Sequence, residues 1–217
     1  MEIPYIFEGG NPRRARFSSD TNRVNLSDYN ILIACEFSGI VREAFRRKGF
    51  RAVSADLLPT EQPGPHIEGD CLELLTHPWN LIIAFPPCTY LANSGVRWLG
   101  EDKERWVKMK QAVKFFSRFL KASAFRIAVE NPTMHRHTEI RKPDFVIQPW
   151  QFGHGETKRT CFWTKHLPSL RSTKIVSGRK PRVAHESPGP DRWKRRSRTL
   201  EGIAEAMADQ WGVFVDA

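Results

Sequence analysis

No run of apolar residues in this chain approaches the ~20 needed to cross a bilayer, which excludes a membrane-spanning helix. The four cysteines, Cys35, Cys71, Cys88 and Cys161, are scattered and form no Cys-x-x-Cys pair. That argues against a zinc site and against a disulfide scaffold, so no metal is expected. The start, Met1-Glu2-Ile3-Pro4, lacks the basic and apolar regions of a signal peptide, and a reducing, cytoplasmic setting is the expectation. There is no internal repeat and no low-complexity tract. Acidic residues are also short: 24 Asp and Glu stand against 34 Lys and Arg, for a net charge of +10. A protein with that imbalance is expected to meet a polyanion, most simply nucleic acid.

What is present suits one domain with a sizeable core: 217 residues, 40% hydrophobic and 27% charged. The positive charge is uneven. Between Arg171 and Arg198 ten Lys or Arg face only Glu186 and Asp191. Within that span Arg192, Trp193, Lys194, Arg195 and Arg196 place an aromatic among cations, which suits phosphate contact with stacking on a base. A solvated basic surface is the plainer alternative.

Residues 1–29, with Arg13, Arg14 and Arg16, read as an arm that packs on the domain, touches DNA or stays disordered. Ile31–Cys35 is a first buried strand. Ile40, Val41, Ala44 and Phe45 recur at helical spacing up to Gly49, and Arg51–Ala55 is a second strand ending at Asp56. Strand, small-residue turn, helix, strand and acid make a βαβ unit for a nucleotide-like ligand, with Asp56 bonding a ribose or serving as a turn residue. The turn has one glycine rather than three, which supports NAD poorly. A short strand at 67–70 ends in Asp70, which either accepts from an adenine amine or caps a helix starting at Cys71. Further strands are expected over 81–84, 124–129, 145–147 and 160–163. A helix spans Glu101–Lys121, with Trp106, Met109, Val113, Phe116 and Leu120 as its core face. A final helix runs from about Leu200 to Gln210. His135 and His137 have no companion at a metal spacing and read as surface residues.

The chain is organised around Leu81-Ile82-Ile83-Ala84-Phe85-Pro86-Pro87-Cys88. The apolar run is a strand buried on both faces, and two prolines stop it stiffly. Cys88 then stands beyond the carboxyl end of a strand, where open α/β sheets bind ligands. It is either a nucleophile or a packed thiol. Glu130, at the end of the next strand, lies at the same sheet edge. The polar stretch Thr89–Gly100, including Ser94 and Arg97, could close over a substrate.

In this order the pieces resemble the C5-cytosine DNA methyltransferases, which use S-adenosylmethionine (SAM). The likeness spans roughly residues 31–163 and the last twenty. Phe37-Ser38-Gly39, with Ile40, looks like that family's Phe-x-Gly cofactor loop. Asp56 with Leu57 matches the acid that holds the ribose, and Asp70 with Cys71 the acid near the adenine. Phe85-Pro86-Pro87-Cys88 looks like the Pro-Cys nucleophile motif, and Glu130-Asn131-Pro132 resembles Glu-Asn-Val. Lys158-Arg159 is a weaker match to the family's arginine motif, and Arg198–Gln210 to its last motif. The resemblance implies an α/β class I SAM-dependent methyltransferase (Rossmann-like) fold, a mostly parallel seven-stranded sheet flanked by helices. It implies Cys88, Glu130 and Arg159 as catalytic. The donor would be held by Phe37, Ser38, Gly39, Ile40, Asp56, Leu57, Asp70, Cys71, Phe85 and Pro86. It implies DNA as partner, contacted through Arg192–Arg196, Ser94 and Arg97.

Several positions depart from the family. Val41 and Arg42 replace further glycines, Phe85 the glycine before Pro-Pro, Thr89 the glutamine after the cysteine, and Pro132 the valine. The family's large target-recognition domain is reduced to 33 residues, Thr164 to Arg196. The expected organisation is an extension (1–29), a catalytic domain (30–163), a short basic segment (164–198) and a helix packing back (199–217). So short a segment supplies few base-edge contacts, so little sequence specificity is expected, as would suit a phage enzyme. The alternatives are the same chemistry on free deoxycytidine nucleotide or RNA, or a non-catalytic DNA-binding module. An amino-methyltransferase would carry an aromatic where Cys88 stands.

Overall fold

A computed structural model describes residues 25–100, 102–182 and 185–215. The expected arm falls largely outside them; of its end, Leu26 and Tyr29 pack on the core. Seven strands form one sheet: β1 (Ile31–Ala34), β2 (Ala52–Asp56), β3 (His66–Glu68), β4 (Leu81–Ala84), β5 (Arg126–Asn131), β6 (Phe145–Ile147) and β7 (Thr160–Lys165). Their order is β3-β2-β1-β4-β5-β7-β6. The β1–β2, β1–β4, β2–β3 and β4–β5 pairs are parallel, and β7 alone runs against its two neighbours. This is the expected α/β, Rossmann-like arrangement: a mostly parallel seven-stranded sheet flanked by helices.

The central strands are apolar on both faces because both faces are covered. Alternation sorts their side chains. Leu32, Ala34, Ile82, Ala84, Ile127 and Val129 face α2 (Lys103–Leu120). Ile31, Ile33, Leu81, Ile83 and Ala128 face α1 (Ile40–Arg47) and α4 (Glu201–Trp211). The expected helices are therefore present, with one correction. The buried face of α2 is Met109, Ala112, Phe115, Phe116 and Phe119, while Trp106, Val113 and Leu120 sit at its margin. Phe115 and Phe119 are drawn inward by edge-on ring packing at 5.2 Å, and Phe116 meets Trp163 at the same distance.

The polar stretch after Cys88 is a 3₁₀ turn, Asn93–Leu99, rather than a free loop. Leu91 and Leu99 bury its two ends. The basic segment is also partly fastened: Lys174 and Lys180 bridge to Phe152 and Glu156, and Leu170 is buried. It ends in a short helix, α3 (Arg192–Ser197). No helix among the described residues is long and apolar enough to cross a membrane.

Candidate active site

The carboxyl ends of β1, β4 and β5 and the chain entering β7 enclose a cavity of about 940 Å³. At one end it is walled by Glu36, Phe37 and Ser38, at the other by Cys88, Glu130 and Arg159. All three expected catalytic residues therefore share one space. The expected donor residues Phe37, Ser38, Phe85 and Pro86 line it too, as do Ser94, Trp193 and Arg196.

Cys88 is placed by the rigid Pro-Pro step and by its neighbour strand. The buried Asn131 amide donates to the Pro86 carbonyl at 2.9 Å, tying β5 to the turn. Leu91 and Ala92 N–H groups close on the Cys88 carbonyl at 3.0 and 2.9 Å. Cys88 is exposed to the cavity, whereas the other three thiols are buried. Desolvation by the cavity walls and the Glu130 charge raise its pKa; Lys158 and Arg196 oppose them. Glu130 is raised too, by burial, against the pull of Lys158. Among the described residues it has no hydrogen-bond donor, so its carboxyl is available to a ligand. Lys158 is held over the site by a 3.1 Å bond from Nζ to the Arg196 carbonyl. Arg159 is exposed and donates from Nε to Thr133 Oγ1 at 3.0 Å.

The Glu36–Ser38 end is built on a strained turn. Cys35 takes the left-handed backbone (φ 57°), and its N–H bonds the Cys71 thiol at 3.3 Å. Glu36 is buried. Its Oε1 accepts from Val41 N–H and Ser38 Oγ, each at 2.9 Å, and so caps α1. Its Oε2 is buried without a partner. Burial pushes the carboxyl up to about 7. An orphaned acceptor of this kind in a cavity wall fits the ammonium of an amino-acid ligand such as the one SAM carries.

Other expected donor residues do not line the cavity. Asp56 is buried and accepts from Leu58 N–H at 3.0 Å. Asp70 takes the capping alternative, accepting from Leu72 N–H at 2.9 Å. The Cys71 thiol is buried and donates to the Ala55 carbonyl at 3.2 Å. Gly39, Ile40 and Leu57 lie at the margin, outside the lining. Gly39 holds φ 75°, and a Cβ there would stand 2.6 Å from Arg42.

The basic helix is divided. Trp193 packs against Phe37 with ring centroids 6.1 Å apart, which places it at the Glu36–Ser38 end. Arg196 lines the cavity, whereas Arg192, Lys194, Arg195 and Arg97 do not. His135, expected on the surface, is buried and bonds the Tyr90 carbonyl at 3.0 Å, bracing the turn after Cys88. Arg42, Asn131 and Lys158 enter from sequence only inside the motif comparisons, with no role of their own, and Glu36, at a strand end beside the Phe-x-Gly match, is assigned none. Among the described residues no cluster of His, Cys, Asp and Glu is placed to hold a metal ion.

Comparison with known proteins adds little to this geometry. No protein-family model and no curated protein matches the sequence. A solved structure described as a DNA modification methyltransferase encoded within an E. coli prophage is similar at 15% identity and a TM-score of 0.44, covering 69% of this chain and 52% of that one. The Entamoeba histolytica methyltransferase EhMeth is similar at 13% identity and a TM-score of 0.39, covering 69% and 58%. The chain thus spans little more than half the length of either structure.

Proposed function

We propose that this protein transfers a methyl group from SAM to C5 of a cytosine in DNA, through a covalent bond between Cys88 and C6. One observation carries the reading. A cavity-facing thiol and an unpaired carboxyl, from the ends of adjacent strands β4 and β5, share a space that continues to the Glu36–Phe37 loop. Glu36 and Phe37 would hold the donor, with Ser38, Phe85 and Pro86 as walls. Asp56 would hold a ribose hydroxyl while still accepting from Leu58 N–H.

A cytosine edge offers the N3 acceptor beside the N4 amine donor. A neutral Glu130 carboxyl complements it, donating to N3 and accepting from the amine; its raised pKa favours that form. The Cys88 thiolate forms an S–C6 bond as the C5=C6 electron pair shifts into the ring, and the Glu130 proton settles on N3. The donor supplies an electrophilic methyl on a sulfonium sulfur. Once C5 carries the methyl, N3 gives its proton back to Glu130, C5 loses its proton to a base as the C5=C6 bond re-forms, and the C6–S electron pair returns to Cys88. Arg159, beside the cavity mouth, would steady the carbonyl side of the ring. Since C6 is hidden in a duplex, the base must leave the stack.

The test is nucleoside mass spectrometry of DNA from a methylation-free bacterium expressing the chain or its Cys88→Ser variant. New 5-methyldeoxycytidine with the first and none with the second is expected. Methyl on adenine N6 or cytosine N4 overturns the mechanism.

A further inference from the structure

The turn that follows Cys88 lines the cavity through Asn93, Ser94 and Gly95, and again near its far end through Trp98, which stands 47% exposed. The turn cannot swing freely. Leu91 and Leu99 are buried on either side of it, Asn93 N–H bonds the Thr133 carbonyl at 2.8 Å, and His135 N–H bonds the Leu91 carbonyl at 3.1 Å. The indole is therefore held in place by its neighbours rather than by its own burial. No aromatic ring among the described residues packs against it. The Arg97 guanidinium lies over it, 4.6 Å from the ring centroid. Next along the same rim, Arg105 lies 5.1 Å over Tyr90 and donates to the Thr89 carbonyl at 3.3 Å. Trp193, the aromatic that the sequence pattern puts forward for stacking, is turned to the donor end instead.

The exposed 47% of the indole leaves apolar area in water, which gains nothing for the fold. At the Cys88 end of the cavity it has a clear partner. A base face stacks on an aromatic whatever its identity, and a guanidinium next to it meets the backbone phosphate. We propose that Trp98 is the platform for the nucleobase adjacent to the target, with Arg97 and Arg105 on the flanking phosphates. The acceptor is then a DNA strand opened at that point, read by base face rather than base edge. The inference rests on reading the Cys88 end as the acceptor pocket. It also accounts for a catalytic chain with so short a segment for sequence readout.

The experiment is fluorescence anisotropy of a labelled cytosine-containing oligonucleotide titrated with the full chain, as single strand and as duplex. Trp98→Ala is expected to weaken single-strand binding on the order of 10- to 100-fold. Trp98→Phe should restore most of it, and the duplex should lose less, because its neighbouring bases are already stacked. An oligonucleotide abasic on both sides of the cytosine should bind wild type and Trp98→Ala alike. Equal single-strand affinity for wild type and Trp98→Ala overturns the proposal. So does an equal loss on the duplex or on the abasic strand, or a wild type that binds no oligonucleotide. Melting temperature checks that the exposed substitution leaves the fold intact. Binding is read without turnover, so stacking can hold while 5-methylcytosine is absent; that pattern would overturn the methylation chemistry alone.

Discussion

Cys88 sits between opposed influences. Desolvation and Glu130 raise its pKa, and Lys158 and Arg196 lower it. A thiolate is the nucleophile, so the balance sets how much of the protein is armed at a given pH. Removing each charge should therefore move reactivity in a known direction. Glu130→Gln takes away a raising charge, so the pH midpoint for iodoacetamide alkylation of Cys88 should fall and labelling at pH 7.5 should quicken several-fold. Lys158→Met takes away a lowering charge, so the midpoint should rise and labelling should slow. Methyl transfer should nevertheless fall at least 100-fold in Glu130→Gln, since proton donation to the ring is lost. Intact-mass spectrometry against pH reads the labelling, and the buried positions of the other three thiols keep it specific to Cys88. Midpoints that do not move in opposite directions would remove Lys158 and Glu130 from the control of the thiol.

Arg42 shows how a single side chain can assemble an element's surroundings. It is fully buried on α1 and donates to Ser54 Oγ at 2.8 Å, Thr60 Oγ1 at 3.1 Å, and the Gln62 and Pro63 carbonyls at 2.7 and 3.2 Å. It also pairs with Glu43 at 2.8 Å. The proline-rich loop after β2 is thereby folded onto the turn that holds Gly39, and the guanidinium fills space beside Gly39 and Gly64. Arg42→Met would take a donor from four neutral acceptors and from Glu43, of which Ser54 keeps His66 and Gln62 keeps Thr60, and unfolding in urea should show a loss of about 3 kcal/mol or more with an unchanged slope. Arg42→Lys should fall between, because an ammonium cannot span the same set. None of this was legible from sequence. A lone arginine on a helix reads as solvated, and its partners lie 12–21 residues downstream. The strands were legible, because an apolar run ended by Pro-Pro or an acid has few other solutions. The facing of α2 was not, because Val113 and Leu120 compete with Phe115 and Phe119 for the same side and ring packing decides. His135 failed for a related reason: its partner is a backbone carbonyl, invisible in side-chain pattern.

Across the whole molecule the net charge of +10 is legible in composition, but not where it acts. Much of the basic segment is spent internally. Arg179 lies 3.9 Å over Trp150, Arg195 is paired with Glu186, and Arg198 holds Glu61 through two bonds of 2.8 and 2.6 Å. Among the described residues, the cations that line the cavity without an acid partner are fewer, Lys158, Arg159, Arg196 and Arg105, with Arg97 beside Trp98; Arg198 also lines it but is held by Glu61. DNA affinity should reflect this smaller set. Binding that neutralises four or five phosphates falls ~150- to ~500-fold between 50 and 200 mM salt. Arg196→Gln should reduce the log–log slope by about one, whereas Arg179→Gln, spent on Trp150, should leave it unchanged. A slope near that of ten contacts, or a slope sensitive to Arg179 and not to Arg196, would mean that DNA lies along the whole basic segment rather than at the mouth of the Cys88 cavity.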